Sequence, residues 1–187
     1  WERGLDMSYN CLNLLEYTSD NDANVINYCY LVDGTKLTAV NADDCGFAYR
    51  GSFTYRADAG GDRVFESTPF GGGRIVGTVD AETEVRYFLT DHLGSIRVVA
   101  DASGSVVQRN HFYPFGLSFA DNENPETQPY KFNGKELDLF HGLNWYDYLA
   151  RGMDPAAGRF IAIDPLCEKY FALSPYVFCA NNPVNYI

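Results

Sequence analysis

The chain has 187 residues, and its 25 acidic against 14 basic side chains give a formal net charge of −11. That balance repels phosphate backbones and sets nucleic-acid binding aside. The length suffices for one domain that buries roughly 70% of its unfolded surface; no run approaches the ~18 apolar residues of a bilayer span, and no signal-peptide pattern is present.

Fourteen Tyr and 13 Phe against two Met favour strands. In chain order, residues 7–14 read as a strand, followed by a polar turn over 19–24. Residues 25–32 run into Asp33-Gly34, a tight-turn signal, and 36–40 return, which predicts a hairpin. Residues 47–55 and 64–68 flank a turn at 59–62. Residues 74–79 and 84–89 flank Asp80-Ala81-Glu82, and 96–100 and 106–112 flank a turn at 101–104. Aromatic or β-branched runs punctuated in this way predict an all-β, antiparallel hairpin chain. The polar, Pro-containing stretch 120–129 reads as a linker. Residues 168–178 have room for one helical turn before Ser174-Pro175 ends it. A loose repeat links Tyr28-x-Tyr30-x-x-Asp33-Gly34 with Tyr87-Phe-Leu-Thr-Asp91-His92-Leu-Gly94, as if stacked hairpins completed one another's core.

Few residues suggest chemistry. Cys11, Cys29, Cys45, Cys167 and Cys179 form no C-x-x-C pair, which argues against a zinc site. Buried or half-buried free thiols are expected, with a Cys11–Cys29 bridge as the alternative. His92, His111 and His141 lack metal-ligand spacing, no serine nucleophile is placed for Asp91-His92, and His92 reads as a hydrogen-bonded turn residue. Gly71-Gly72-Gly73 lacks the phosphate-loop pattern and reads as a turn or bulge. No cofactor or metal is expected. The rings of Trp145, Tyr146, Tyr148, Phe160, Tyr170, Phe171, Tyr176 and Phe178 fit core packing; sugar stacking is the other reading.

Asp154 and Asp164 each precede proline, ten residues apart. Peptide hydrolysis by two carboxylates needs one ionised and one protonated, and proximity splits their titrations in that sense. A hairpin turning at 156–158 would bring them together, with Arg151 or Arg159 holding one charged. The competing reading is that each Asp-Pro initiates a turn and accepts local backbone N–H groups.

The ordered series Thr90–Ser95, Tyr113–Gly116, Phe132–Glu136, Gly142–Tyr148, Arg151, Asp154–Phe160, Asp164-Pro165 and Asn181–Asn185 resembles the YD-repeat/RHS family. The likeness is to its RHS repeat-associated core domain, in a version like that of Bacteroidetes. It covers residues 84–187, and residues 1–83 resemble degenerate YD-repeat hairpins. The resemblance implies a spiralling β-shell around a C-terminal toxin in a polymorphic toxin, closed by the core domain as an irregular plug with little helix. It also implies, in several members, an intramolecular aspartyl protease cutting at a D-P-x-G-x motif just after N-N-P-V-N-x-x. Partners are then intramolecular, namely upstream YD repeats and a downstream toxin segment, in a secreted or cell-surface bacterial protein. An extracellular glycan- or cell-surface-binding module is a further reading, and it requires an exposed Trp145. The ends, Trp1-Glu2-Arg3 and Asn185-Tyr186-Ile187, lead us to expect an excised piece whose bare sheet edges self-associate.

Overall fold

In the computed structural model, which describes residues 4–21, 24–78, 82–120, 122–124, 128–139 and 142–186, the hairpin loops set the architecture. Loops 10–14, 41–45, 58–62, 91–95 and 101–105 share one construction. The first residue donates its N–H to the carbonyl of the fifth, and the fourth donates back to the carbonyl of the first. The first side chain (Asn10, Asn41, Asp58, Asp91 or Asp101) accepts the N–H groups of the third and fifth residues at 2.8–3.1 Å. Asn and Asp are suited to this because their short acceptors reach their own backbone two residues on. The fourth residue is left-handed: Asn13 (φ 59), Asp44 (φ 60), Gly61 (φ 79), Gly94 (φ 76) and Gly104 (φ 85). That conformation penalises side chains other than those of Gly, Asn and Asp.

These loops join strands β1 (Asp6–Tyr9), β2 (Leu15–Ser19), β3 (Val25–Tyr30), β4 (Lys36–Asn41), β5 (Gly46–Arg50) and β6 (Phe53–Ala57). Further along come β7 (Arg63–Phe70), β8 (Gly73–Gly77), β9 (Thr83–Thr90), β10 (Ile96–Ala100) and β11 (Val106–Arg109). The eleven form an antiparallel sheet whose spatial order is the sequence order. A second sheet holds β12 (Leu137–Asp138), β13 (Trp145–Asp147), β14 (Gly152–Asp154) and β15 (Arg159–Phe160). The all-β expectation holds; helix among the described residues is confined to 3-10 turns such as Cys167–Lys169.

Several boundaries differ from the sequence expectation. The first strand stops at Tyr9, because the Asn10 carboxamide gathers Leu12 and Leu14 N–H into a loop, and residues 15–19 return as a strand of their own. The run 47–55 is two strands, broken where Gly51 takes φ 59. The Asp33-Gly34 turn belongs to a five-residue loop, since Leu31 N–H reaches Thr35 O. The last hairpin strand ends at Arg109 rather than 112. Parts of the expected turns at 19–24 and 80–82, of the linker at 120–129, and His141 lie outside the described residues. All five cysteines are free, with Cys11 and Cys29 exposed instead of buried or bridged.

The chain divides into two units, Trp1–Tyr87 and Phe88–Ile187. In the first, most buried positions are small or polar, namely Thr18, Ala39, Ala48, Thr54, Ser67 and Arg74, beside Leu14, Ile26 and Tyr28. Buried Arg74 donates through Nε and Nη2 to Ser67 Oγ and through Nη2 to Thr54 Oγ1. Glycine permits a close backbone approach here: a Cβ on Gly46 would lie 2.1 Å from Ala39 O.

In the second unit the four short strands each place one apolar residue in a single row. Leu137 faces Tyr146, Tyr146 faces Met153, and Met153 faces Phe160. Phe132 and Phe178 close over that row to complete the core. Burying each large side chain contributes about 1.5–3 kcal/mol. The Tyr146 hydroxyl donates to Gly116 O at 3.0 Å, and burial holds it far above the ordinary tyrosine pKa.

Candidate functional site

The core row ends where the candidate carboxylates begin. Asp154 closes β14, is 1% exposed, and pairs in register with Arg159 across the β14–β15 hairpin. Its Oδ1 accepts the N–H groups of Ala156 (2.8 Å) and Ala157 (3.1 Å), and its carbonyl accepts Gly158 N–H. The carboxylate therefore shapes the turn expected at 156–158. Gly158 (φ 65) packs tightly there: a Cβ on it would meet the Phe115 ring at 3.0 Å. Arg159 is exposed.

Asp164 occupies a different setting. Its N–H bonds Pro175 O, its Oδ1 accepts Leu166 N–H at 2.7 Å, and its Oδ2 takes Arg151 Nη2 at 2.9 Å. Arg151 is nearly buried, its guanidinium lies 3.7 Å from the centroid of the Phe160 ring, and its Nη1 reaches Pro175 O at 3.4 Å. Burial lowers the Arg151 pKa, and the Asp164 charge and hydrogen bond oppose that shift. Of the two arginines named from the sequence, Arg151 is thus the one that holds Asp164. The hydrogen bonds described here put the two aspartates in separate turns.

Arg151 and Asp164 line a cavity of about 670 Å³ together with Lys135, Tyr148, Cys179 and Tyr186. Phe160, Phe178 and Leu173 supply apolar wall. Burial is the largest cause keeping the Tyr148 hydroxyl protonated, and it pushes the Cys179 thiol up to about 11. Both are neutral at physiological pH. Cys179 (φ 47), Ala180 (φ 50) and Asn181 (φ 60) form a left-handed run; Ala180 has no side-chain acceptor to offset that strain. Among the described lining residues Asp164 is the sole carboxylate. The wall can hold a negative charge beside a cation, and a carboxylate pair needs a second acid. Lys135 gave no chemical signal in the sequence, where it was one letter of a short motif, and Tyr148 was read only as one ring of the aromatic series.

The remaining candidates divide. His92 Nε2 bonds Val184 O at 3.1 Å, which fits the turn role expected for it. Gly71-Gly72 forms the turn between β7 and β8. Trp145, Tyr146, Phe160 and Phe178 are buried in the second unit, whereas Tyr170, Phe171 and Tyr176 are exposed and do not pack as core. A glycan platform was expected to expose Trp145, which is 6% exposed. Among the described residues no group of three or more His, Cys, Asp or Glu is placed to hold a metal ion, and no helix is long and apolar enough to cross a membrane.

No family model matches the chain. A stretch of 101 residues, 53% of this chain and 3% of the relative, is 40% identical to Salivary gland surface protein 1 of Aedes aegypti. Toxin subunit YenC1 of Yersinia entomophaga is 28% identical over 108 residues, 56% of this chain and 11% of the subunit. The chain thus matches a small part of each relative's length. Among solved structures, TcdB2-TccC3 without its hypervariable C-terminal region superposes with a TM-score of 0.80 at 20% identity, over 98% of this chain and 10% of that one. The Tc holotoxin pore of Photorhabdus luminescens superposes at 0.79, with the same identity and coverage. At such identities the common property is the fold, and this chain has the fold of a segment of the Tc toxin chains.

Proposed function

We propose that the chain is a structural segment of a toxin shell. Residues 1–83 serve as YD-repeat wall, and residues 84–187 as the RHS-type core that closes it. The carrying observation is the superposition of 98% of the chain on TcdB2-TccC3 lacking a hypervariable C-terminal region. Likeness to the toxin subunit YenC1 and the motif order of residues 84–187 support the same reading. Its partners are then the upstream repeats and the downstream cargo of a secreted or surface-displayed bacterial protein, of the Bacteroidetes type. Bare sheet edges would pair isolated copies.

Within this function, the Arg151–Asp164 cavity contributes to autoproteolytic release. Arg151 holds the Asp164 carboxylate through the 2.9 Å bond, which fixes the orientation that a water-activating group requires. Tyr186 lines the same cavity, so the D-P-x-G motif that the resemblance puts just after N-N-P-V-N-x-x would bring both a peptide bond and a second carboxylate to Asp164. Asp154 and Arg159 then shape the adjoining hairpin.

The test is a longer polypeptide that carries this sequence through the next D-P-x-G motif, followed by mass spectrometry. Two fragments are expected, and Asp164→Asn should slow the cut by about a hundredfold or more. Cleavage that persists unchanged in Asp164→Asn would remove the assignment. Loss of cleavage in a folded Asp154→Asn variant would return the second acid to the hairpin.

A further inference from the structure

Lys135 has no role in the chemistry above. It ends the loop 131–135, where Lys131 N–H donates to Lys135 O and Gly134 N–H to Lys131 O. Its ammonium lies over the Tyr148 ring, 5.3 Å from the centroid. Arg151 is committed to Asp164, whereas no ion pair to Lys135 forms among the described residues. With Tyr148 and Cys179 neutral, the cavity wall carries two cations, Lys135 and Arg151, against one carboxylate, Asp164. One positive charge remains on the wall of an otherwise strongly acidic chain. Beside it stand Phe160, Phe178 and Leu173. An ammonium on a half-buried lysine, next to an apolar wall, is complementary to an anion that carries an apolar group.

We propose that this cavity binds the carboxylate end of a peptide with an apolar last residue. Lys135 pairs with the carboxylate, and the Phe160–Phe178–Leu173 wall takes the side chain. The source assigned is the chain end left by self-cleavage, because Tyr186 lines the same cavity. That source rests on the function proposed above; the binding site does not. In that setting the cavity retains its product and opposes resealing of the cut.

The experiment uses the 187-residue chain and short fluorescein-labelled peptides ending in leucine, either as the free carboxylate or as the carboxamide, read by fluorescence anisotropy. A charge-assisted pair predicts that the carboxylate form binds about 10–100-fold more tightly. Lys135→Gln should erase that preference and Lys135→Arg should keep most of it. Leu173→Asp should weaken both peptides, with circular dichroism showing that each variant folds. Equal binding of the two peptides, no binding of either, or a preference that survives Lys135→Gln would each overturn the proposal. The assay contains no cleavage step: binding in a protein whose longer form never cuts removes the source and keeps the site, while cutting without binding does the reverse.

Discussion

The two units use the same loop grammar and stabilise it differently. Trp1–Tyr87 buries Thr18, Ala39, Ala48, Thr54 and Ser67 along successive strands, with Arg74 bonded to two of those hydroxyl groups. Phe88–Ile187 concentrates Phe132, Leu137, Tyr146, Met153, Phe160 and Phe178 in one cluster. A sheet of consecutive hairpins can rest on ladder hydrogen bonds and regular loops, whereas short strands of two or three residues need a dense core to hold them. The comparison breaks if truncations cost the same in both units. Phe178 is 1% exposed and meets the rings of Phe132, Tyr148 and Phe160. Phe178→Ala should therefore cost about 3–5 kcal/mol in chemical denaturation. Val64→Ala, on a 58% exposed side chain in β7, should stay within about 0.5 kcal/mol. Similar values for the two would deny the second unit its core.

The hairpin sheet was legible because its signals are local. A first-position Asp with Gly three residues later marks the loops at 58, 91 and 101, whereas Asn10 and Asn41 open the same loop without glycine and were not read as turns. The errors came where a weaker local signal decided: Gly51 alone splits residues 47–55, and the Asn10-x-x-Asn13 pair lacks glycine. The site was less legible because it is built from distant segments. The sequence named Arg151 and Asp164 as candidates, and their ion pair spans 13 residues. It also gave Asp154 the same appearance as Asp164, since both are Asp-Pro. Burial and backbone N–H groups set Asp154 in the turn after β14, and the Asp-Pro pair itself does not report burial. Lys135 was hidden for the same reason, because its cavity joins segments from Lys135 to Tyr186.

The loop grammar itself sharpens the comparison at the next level of energy. The Asp91 carboxylate accepts Leu93 and Ser95 N–H, both at 3.0 Å, while its ion pair with Arg97 is long at 3.8 Å and contributes little. Asp91→Ala should cost about 1–3 kcal/mol through two orphaned N–H groups. Asp91→Asn should stay within about 0.5 kcal/mol, since Asn10 and Asn41 cap their own loops through a carboxamide. An Asn variant as unstable as the Ala variant would mean that charge, rather than acceptor geometry, holds the loop.

The smallest effect separates charge from geometry inside the first unit. Asp33 sits third in its loop and accepts the Thr35 N–H at 2.8 Å. That backbone bond is the largest cause lowering its pKa below the ordinary 3.8. A folded-state pKa depressed in this sense adds stability above the unfolded value, and that stability is lost as pH falls through the folded value. The contribution is therefore full at neutral pH and disappears only in acid below 3.8. An NMR titration of the Asp33 carboxyl carbon should find its midpoint below that value, and a Thr35→Pro variant, which removes the N–H donor, should move it upward. A midpoint at or above 3.8 in the unaltered chain would show that the 31–35 loop is held by its backbone bonds and the left-handed Gly34 (φ 86) alone. The exposed hairpins would then owe their register to loop geometry.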